Sequence, residues 1–120
     1  MRPERKRRVC IDPEAVVFKP RRTPLKELER IDLTLDELEA IRLCYLDGFY
    51  QEDAAFEMDI SRQTLGRILM SANQKIADFI VNGKALFIGG GSVYRGKARG
   101  RKKYCPRREQ KRLRQRLVRE

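Results

Sequence analysis

Residues 51–83 read QEDAAFEMDISRQTLGRILMSANQKIADFIVNG, and the fold turns on this stretch. Its apolar residues Leu65, Ile68, Leu69, Ala72, Ile76, Phe79 and Ile80 fall at offsets 0, 3, 4, 7, 11, 14 and 15, the period of one helix face. Ser61 is a good N-cap and Asn82-Gly83 a good stop. The spacing therefore predicts a helix of about 21 residues, roughly 30 Å long. Upstream, Gln51 to Met58 fits a shorter helix with Ala54, Ala55 and Met58 inward and Glu52, Asp53 and Glu57 outward, and Asp59-Ile60 forms the turn. Small Ala55 lets the two helices cross, Ile60 plugs the corner, and Leu65 with Ile68 locks the second helix. This is the arrangement of a helix-turn-helix.

The outer face of the long helix then carries Ser61, Arg62, Gln63, Thr64, Arg67 and Gln74. Arg62 or Arg67 can donate twice to guanine, and Gln63 can pair donor and acceptor with adenine in a major groove. Ser61, Thr64 and the free amides at the helix start suit a phosphate. The plainer alternative is a helix that only packs a bundle, with Arg62 and Gln63 as ordinary solvated side chains.

Working outward, Thr34-Leu35-Asp36-Glu37 is a capping box that starts a helix, with Leu35, Leu38, Ile41 and Tyr45 on its inner face and Asp47-Gly48 as its stop. Thr23-Pro24 offers a cap and a first helical proline, so Leu25, Leu28 and Ile31 line a short helix. Lys84 to Ile88 is a short strand or extended segment. The expected fold class is all-α: a small helical bundle with a helix-turn-helix, an extended N-terminal arm partly packed on the core, and a disordered basic C-terminal tail. The expected organisation is a basic arm over residues 1–22, the helix-turn-helix domain over 23–91 and a basic flexible tail over 92–120, hinged at Gly89-Gly90-Gly91-Ser92.

Charge is distributed unevenly along this plan. The 120 residues hold 28 Lys plus Arg against 17 Asp plus Glu, a net charge of +11. Residues 1–30 carry ten basic and five acidic groups, residues 31–91 five and ten, and residues 92–120 thirteen and two. The tail alone supplies as much positive charge as the whole chain, and Lys97, Arg99, Arg101, Lys102 and Lys103 are its candidate phosphate contacts. Charge of this kind points to nucleic acid.

Other classes find little support. There is no histidine, so the commonest general base and metal ligand are both missing. No enzyme is expected and no cofactor. No apolar run is long enough for a membrane span or a signal-peptide core, so the expectation is a cytoplasmic protein without a membrane partner. Gly91-Ser92-Val93-Tyr94-Arg95-Gly96-Lys97 spells seven positions of a phosphate loop, but Ala98 stands where a hydroxyl must hold magnesium. Cys10, Cys44 and Cys105 include no CxxC pair and fit a reducing compartment. Cys44 reads as a small buried hydrophobe. No metal site is expected. Cys10 is the weak candidate, and the basic residues beside it would lower its thiol pKa and leave a redox-sensor role open.

The run Pro24-Leu25, Leu33-Thr34-Leu35-Asp36-Glu37-Leu38-Glu39-Ala40-Ile41-Arg42-Leu43, Gln51-Glu52, Ser61-Arg62-Gln63-Thr64 and Val81-Asn82-Gly83-Lys84-Ala85-Leu86 closely resembles the small prokaryotic proteins of uncharacterised protein family 0251, also called domain of unknown function 134. Arg7-Arg8-Val9-Cys10 and Phe18-Lys19-Pro20 look like their N-terminal signature, so the resemblance covers residues 2 to 94. It implies a DNA-binding protein whose helix-turn-helix is similar to the promoter-reading region of sigma factors, and it supplies no target. Two positions depart from the pattern: Asp59 stands where glycine is preferred, and Tyr50 where a Ser cap is usual.

The reading that results is a sequence-specific binder of double-stranded DNA and a transcriptional regulator, with a recognition helix starting at Ser61 and basic arms on the phosphates. A homodimer would suit the small core and the symmetry of operators. The alternatives are an RNA-binding protein that uses the basic tail, and a cysteine-based redox- or metal-responsive regulator.

Overall fold

Ser61 opens the long helix as its spacing predicts: the Ser61 hydroxyl accepts the Thr64 amide at 3.1 Å, and the helix runs from Arg62 to Asn82. Gly83 ends it in the left-handed conformation, φ 62°, which costs glycine nothing. In the computed structural model, residues 6–13 and 16–97 are described. In chain order the elements are β1 (Arg7–Val9), β2 (Val17–Phe18), a 3-10 turn (Leu25–Glu27), β3 (Arg30–Leu33), α1 (Leu35–Ile41) continuing as a π-helical turn (Arg42–Leu46), α2 (Gln51–Glu57), α3 (Arg62–Asn82), β4 (Ala85–Ile88) and β5 (Val93–Arg95).

The all-α expectation is overturned, because these strands form two sheets and make the protein mixed α/β. β4 lies between β2, antiparallel to it, and β3, parallel to it, while β1 and β5 pair in parallel. The spacing of Leu25, Leu28 and Ile31 mimicked a helix face. In β3, however, Arg30 and Asp32 are exposed while Leu33 is buried, the alternation of a strand with one face on a core. The only helical residues there are the single 3-10 turn at Leu25–Glu27.

Two clusters form the interior. Ala40, Leu43, Cys44, Phe49, Ala54, Ala55, Met58, Leu65, Ile68 and Leu69 join α1, α2 and the first half of α3, with Ile60 packed against them at the corner. Leu33, Ala72 and Leu86 centre the second, where Phe79 and Ile88 bring the far half of α3 onto the three-stranded sheet. α1 begins with the expected capping box, in which the Glu37 carboxylate accepts the Thr34 amide at 3.0 Å. Tyr45, expected inward, is 52% exposed because the π turn rotates the chain after Ile41. Ile80, at the edge of the α3 stripe, is also exposed.

The N-terminal arm is part of the fold. The Arg8 amide donates to the Met58 carbonyl at 2.8 Å, and the Gly96 amide to Val9 at 3.0 Å, so the β1–β5 ribbon lies across the α2–α3 turn. Asp59 makes that turn at φ 59° and accepts the Tyr94 hydroxyl at 3.1 Å. Asp53 and Glu57, which the sequence pattern had put outward, are buried.

Asp59→Ala is expected to lower stability by about 2 kcal/mol in urea unfolding, since alanine tolerates the left-handed region poorly and loses the Tyr94 bond. Asp59→Gly loses the same bond but relieves the backbone, and its loss should be clearly smaller. Equal losses would mean that side-chain contacts, not backbone conformation, hold the turn.

Candidate nucleic-acid interface

The first half of α3 is fixed on one side by Leu65, Ile68 and Leu69 in the core, and this fixes which side chains face outward. At about 100° per residue, Gln63, Arg67 and Gln74 fall on one line opposite the buried face. All three are exposed. Arg62 is exposed as well, but sits more than a quarter turn away on the flank. None of these four side chains makes a hydrogen bond or ion pair among the described residues.

The other expected contacts are placed differently. Ser61 is occupied by its cap, donating its hydroxyl to Thr64 Oγ1 at 2.9 Å. Thr64 is half-buried and turns toward a cleft beside α3. Lys97 follows β5, where its main-chain carbonyl accepts the Arg8 guanidinium. Arg99, Arg101, Lys102 and Lys103 lie outside the described residues.

A network of buried charge links the middle of α3 to the rest of the fold. Glu37 accepts Lys75 Nζ at 2.6 Å, the Ser71 hydroxyl and the Thr34 amide, which pins the middle of α3 to the start of α1. Burial pushes the Glu37 carboxyl up, but donation from Lys75, Ser71 and Thr34 outweighs it and holds the group below its ordinary value near 4.5. Asp36 accepts the Thr34 hydroxyl and lies 3.9 Å from Arg7 Nε. Glu39 accepts the Cys10 amide and pairs with Arg42 at 2.6 Å.

Sequence reasoning expected phosphate contacts from the basic arm that holds Arg7 but singled out none of Ser71, Lys75 and Ser92, yet all four line the cleft with Thr64 and Arg67. Arg7 stood in a noticed motif, but its neighbours come from elements 27 to 85 residues away, and no local pattern announces that meeting.

Cys10 does not have the environment its basic neighbours suggested. Burial, and then the Glu39 carboxylate beside it, raise its thiol pKa above the ordinary value of 9.0, against the opposing pull of Arg42. The nearby positive charge is already committed to Glu39 and Asp47. Cys44 is buried at 2% exposure, as expected of a small core residue. Among the described residues no cluster of three His, Cys, Asp or Glu side chains could hold a metal ion, and no helix is long and apolar enough to cross a membrane.

The fold and this surface define a small α/β protein that carries a helix–turn–helix pair with an exposed polar face. The profile described as "Protein of unknown function DUF134" matches residues 1–96, and the chain belongs to that family, as its motifs led one to expect. A UPF0251 protein of Prosthecochloris aestuarii is 49% identical over 92 residues, covering 77% of this chain and 59% of the relative. Another, of Methanocella arvoryzae, is 54% identical over 86 residues, 72% of this chain and 52% of the relative. A third, of Caldanaerobacter subterraneus subsp. tengcongensis, is 50% identical over 101 residues, 82% of this chain and 86% of the relative. The chain thus spans little more than half the length of the first two. No solved structure matches.

Two measurements test the electrostatics. A carboxylate whose native pKa is depressed contributes stability above its unfolded pKa and loses it as the pH falls through the native one. Unfolding free energy should therefore fall as the pH drops below about 4.5, and Glu37→Gln should flatten that fall while lowering stability at pH 7. For Cys10, per-cysteine mapping of iodoacetamide labelling should show slower reaction at pH 7.5 than a free thiol, rising steeply above pH 9. Fast labelling at neutral pH would contradict the raised value.

Proposed function

We propose that the protein binds double-stranded DNA in a sequence-specific manner and acts as a transcriptional regulator, with α3 as its recognition helix. One observation carries this reading. Gln63, Arg67 and Gln74 form an exposed, unengaged line on a helix whose inner face and preceding turn are both clamped. A helix about 30 Å long, held rigidly with a polar outer face, is the element a major groove accepts. Amide and guanidinium side chains are those that distinguish base edges by paired hydrogen bonds.

The basic arms take the phosphates. Lys97, Arg99, Arg101, Lys102 and Lys103 lead a segment rich in Lys and Arg that supplies sequence-independent affinity. A regulator of this kind works in the cytoplasm, alongside the chromosome. The raised Cys10 thiol lends no support to a thiolate sensor.

The test begins with selection of bound fragments from random duplex DNA, followed by titration of the selected site and a scrambled duplex. Gln63→Ala and Gln74→Ala should each weaken the selected site by about 1–3 kcal/mol and leave the scrambled duplex nearly unchanged. Replacing Arg99, Arg101, Lys102 and Lys103 with Gln should weaken both duplexes alike and flatten the salt dependence. Selection that yields no preferred sequence would overturn the sequence-specific reading.

A further inference from the structure

A cleft of about 520 Å³ runs along the flank of α3, on the side away from Arg62. Thr64, Arg67 and Lys75 of α3 line it together with Arg7 of β1 and Ser92. Three cations, Arg7, Arg67 and Lys75, therefore converge with the Thr64 and Ser92 hydroxyls from three separate parts of the chain. The two carboxylates in the lining, Asp36 and Glu37, are both buried and engaged. Glu37 is held by Lys75, Ser71 and Thr34, and Asp36 by the Thr34 hydroxyl with Arg7 3.9 Å away. Their charge is spent on fixing Arg7 and Lys75 in place.

The chain also passes close to the cleft floor. Gly91 has φ 94°, and a Cβ there would stand 2.9 Å from Asp36 Oδ1 and 2.9 Å from Thr34 Cβ. Only glycine lets the segment leading to Ser92 cross there. Arg67, exposed and without a bond among the described residues, and the Ser92 hydroxyl supply donors the fold does not use internally.

We propose that this cleft seats a phosphate of the bound duplex backbone, with Arg7, Arg67, Thr64 and Ser92 as donors, so that β1 and residues 91–92 form a second, sequence-independent edge of the DNA interface. The inference rests on the DNA-binding reading above and deepens it. Position favours a backbone phosphate over a free one. Thr64 and Arg67 belong to the first turns of α3, so when the Gln63–Arg67–Gln74 line faces a groove, the cleft faces the strand that borders it. Lys6, exposed just before β1, extends the same edge.

The test uses full-length protein, the selected duplex and a scrambled duplex, titrated across a salt series. Arg7→Gln and Ser92→Asp are the variants. The second keeps the test informative if the first disturbs β1, because the Ser92 side chain holds no bond among the described residues. Each should weaken both duplexes by the same factor, about tenfold at 0.1 M salt, and Arg7→Gln should lower the slope of log K against log salt by about one. A single neutral methylphosphonate in the selected duplex should abolish the difference between wild type and Ser92→Asp at one backbone position. Duplex binding by wild type with unchanged affinity and slope in both variants would overturn the inference and leave the DNA-binding reading standing. Absence of duplex binding by wild type would overturn both. Stabilisation of wild type, but not of Ser92→Asp, by millimolar inorganic phosphate or a mononucleotide, with duplex affinities unaffected, would assign the cleft to a small phosphate and overturn the backbone assignment.

Discussion

One apolar stripe sets the terms for the rest of the molecule. α3 is 21 residues long, roughly 30 Å, while α1 and α2 have seven residues each, roughly 10 Å. Two short helices cannot cover a stripe of that length, and an uncovered apolar face is unfavourable by about 25 cal/mol per Å² left in water. The structure divides the work. The helices cover Leu65, Ile68 and Leu69, and the sheet built from β2, β4 and β3 covers Ala72 and Phe79. Both halves of α3 are thereby anchored on their inner side, and the outer side meets solvent.

The same division shows why part of the fold was legible and part was not. α3 spans four full apolar repeats between a serine cap and a glycine stop, so period, start and end could all be read from sequence, as could α2 and the beginning of α1. The strands have two to four residues each, too few for alternation to stand out from chance. Pairing among them is long-range: β3 meets β4 across 55 residues and β1 meets β5 across 86. No local rule identifies such partners. Arg30-Ile31-Asp32-Leu33 is instructive, because its alternation was visible but competed with the three-residue spacing of Leu25, Leu28 and Ile31. Tertiary pairing decided between them.

At the interface the same limit holds. Gln63, Arg67 and Gln74 are among the α3 residues that sequence singled out. The meeting of Arg7 and Ser92 with α3 did not follow from sequence, because it depends on the parallel pairing of β1 with β5 across 86 residues. The misjudged Cys10 has a similar cause. Sequence displays the arginines beside it but not the Glu39 carboxylate, 29 residues on, that accepts its amide.

These carboxylates also resolve an apparent contradiction in the charge. A segment that carries ten acidic and five basic groups is a poor surface for a polyanion if all its charges face outward. They do not. Asp36, Glu37, Glu39, Asp53 and Glu57 are buried. Asp36 lies against Arg7, Glu37 against Lys75 and Glu39 against Arg42. A buried carboxylate is tolerable only when donors replace its lost water, so the acidic share of the core is used to tie α1 to α3 and to the N-terminal strand. Arg62 and Arg67 are the basic residues of that segment left facing outward without acidic partners among the described residues. The core can therefore be acidic in composition and still offer cations where α3 meets solvent.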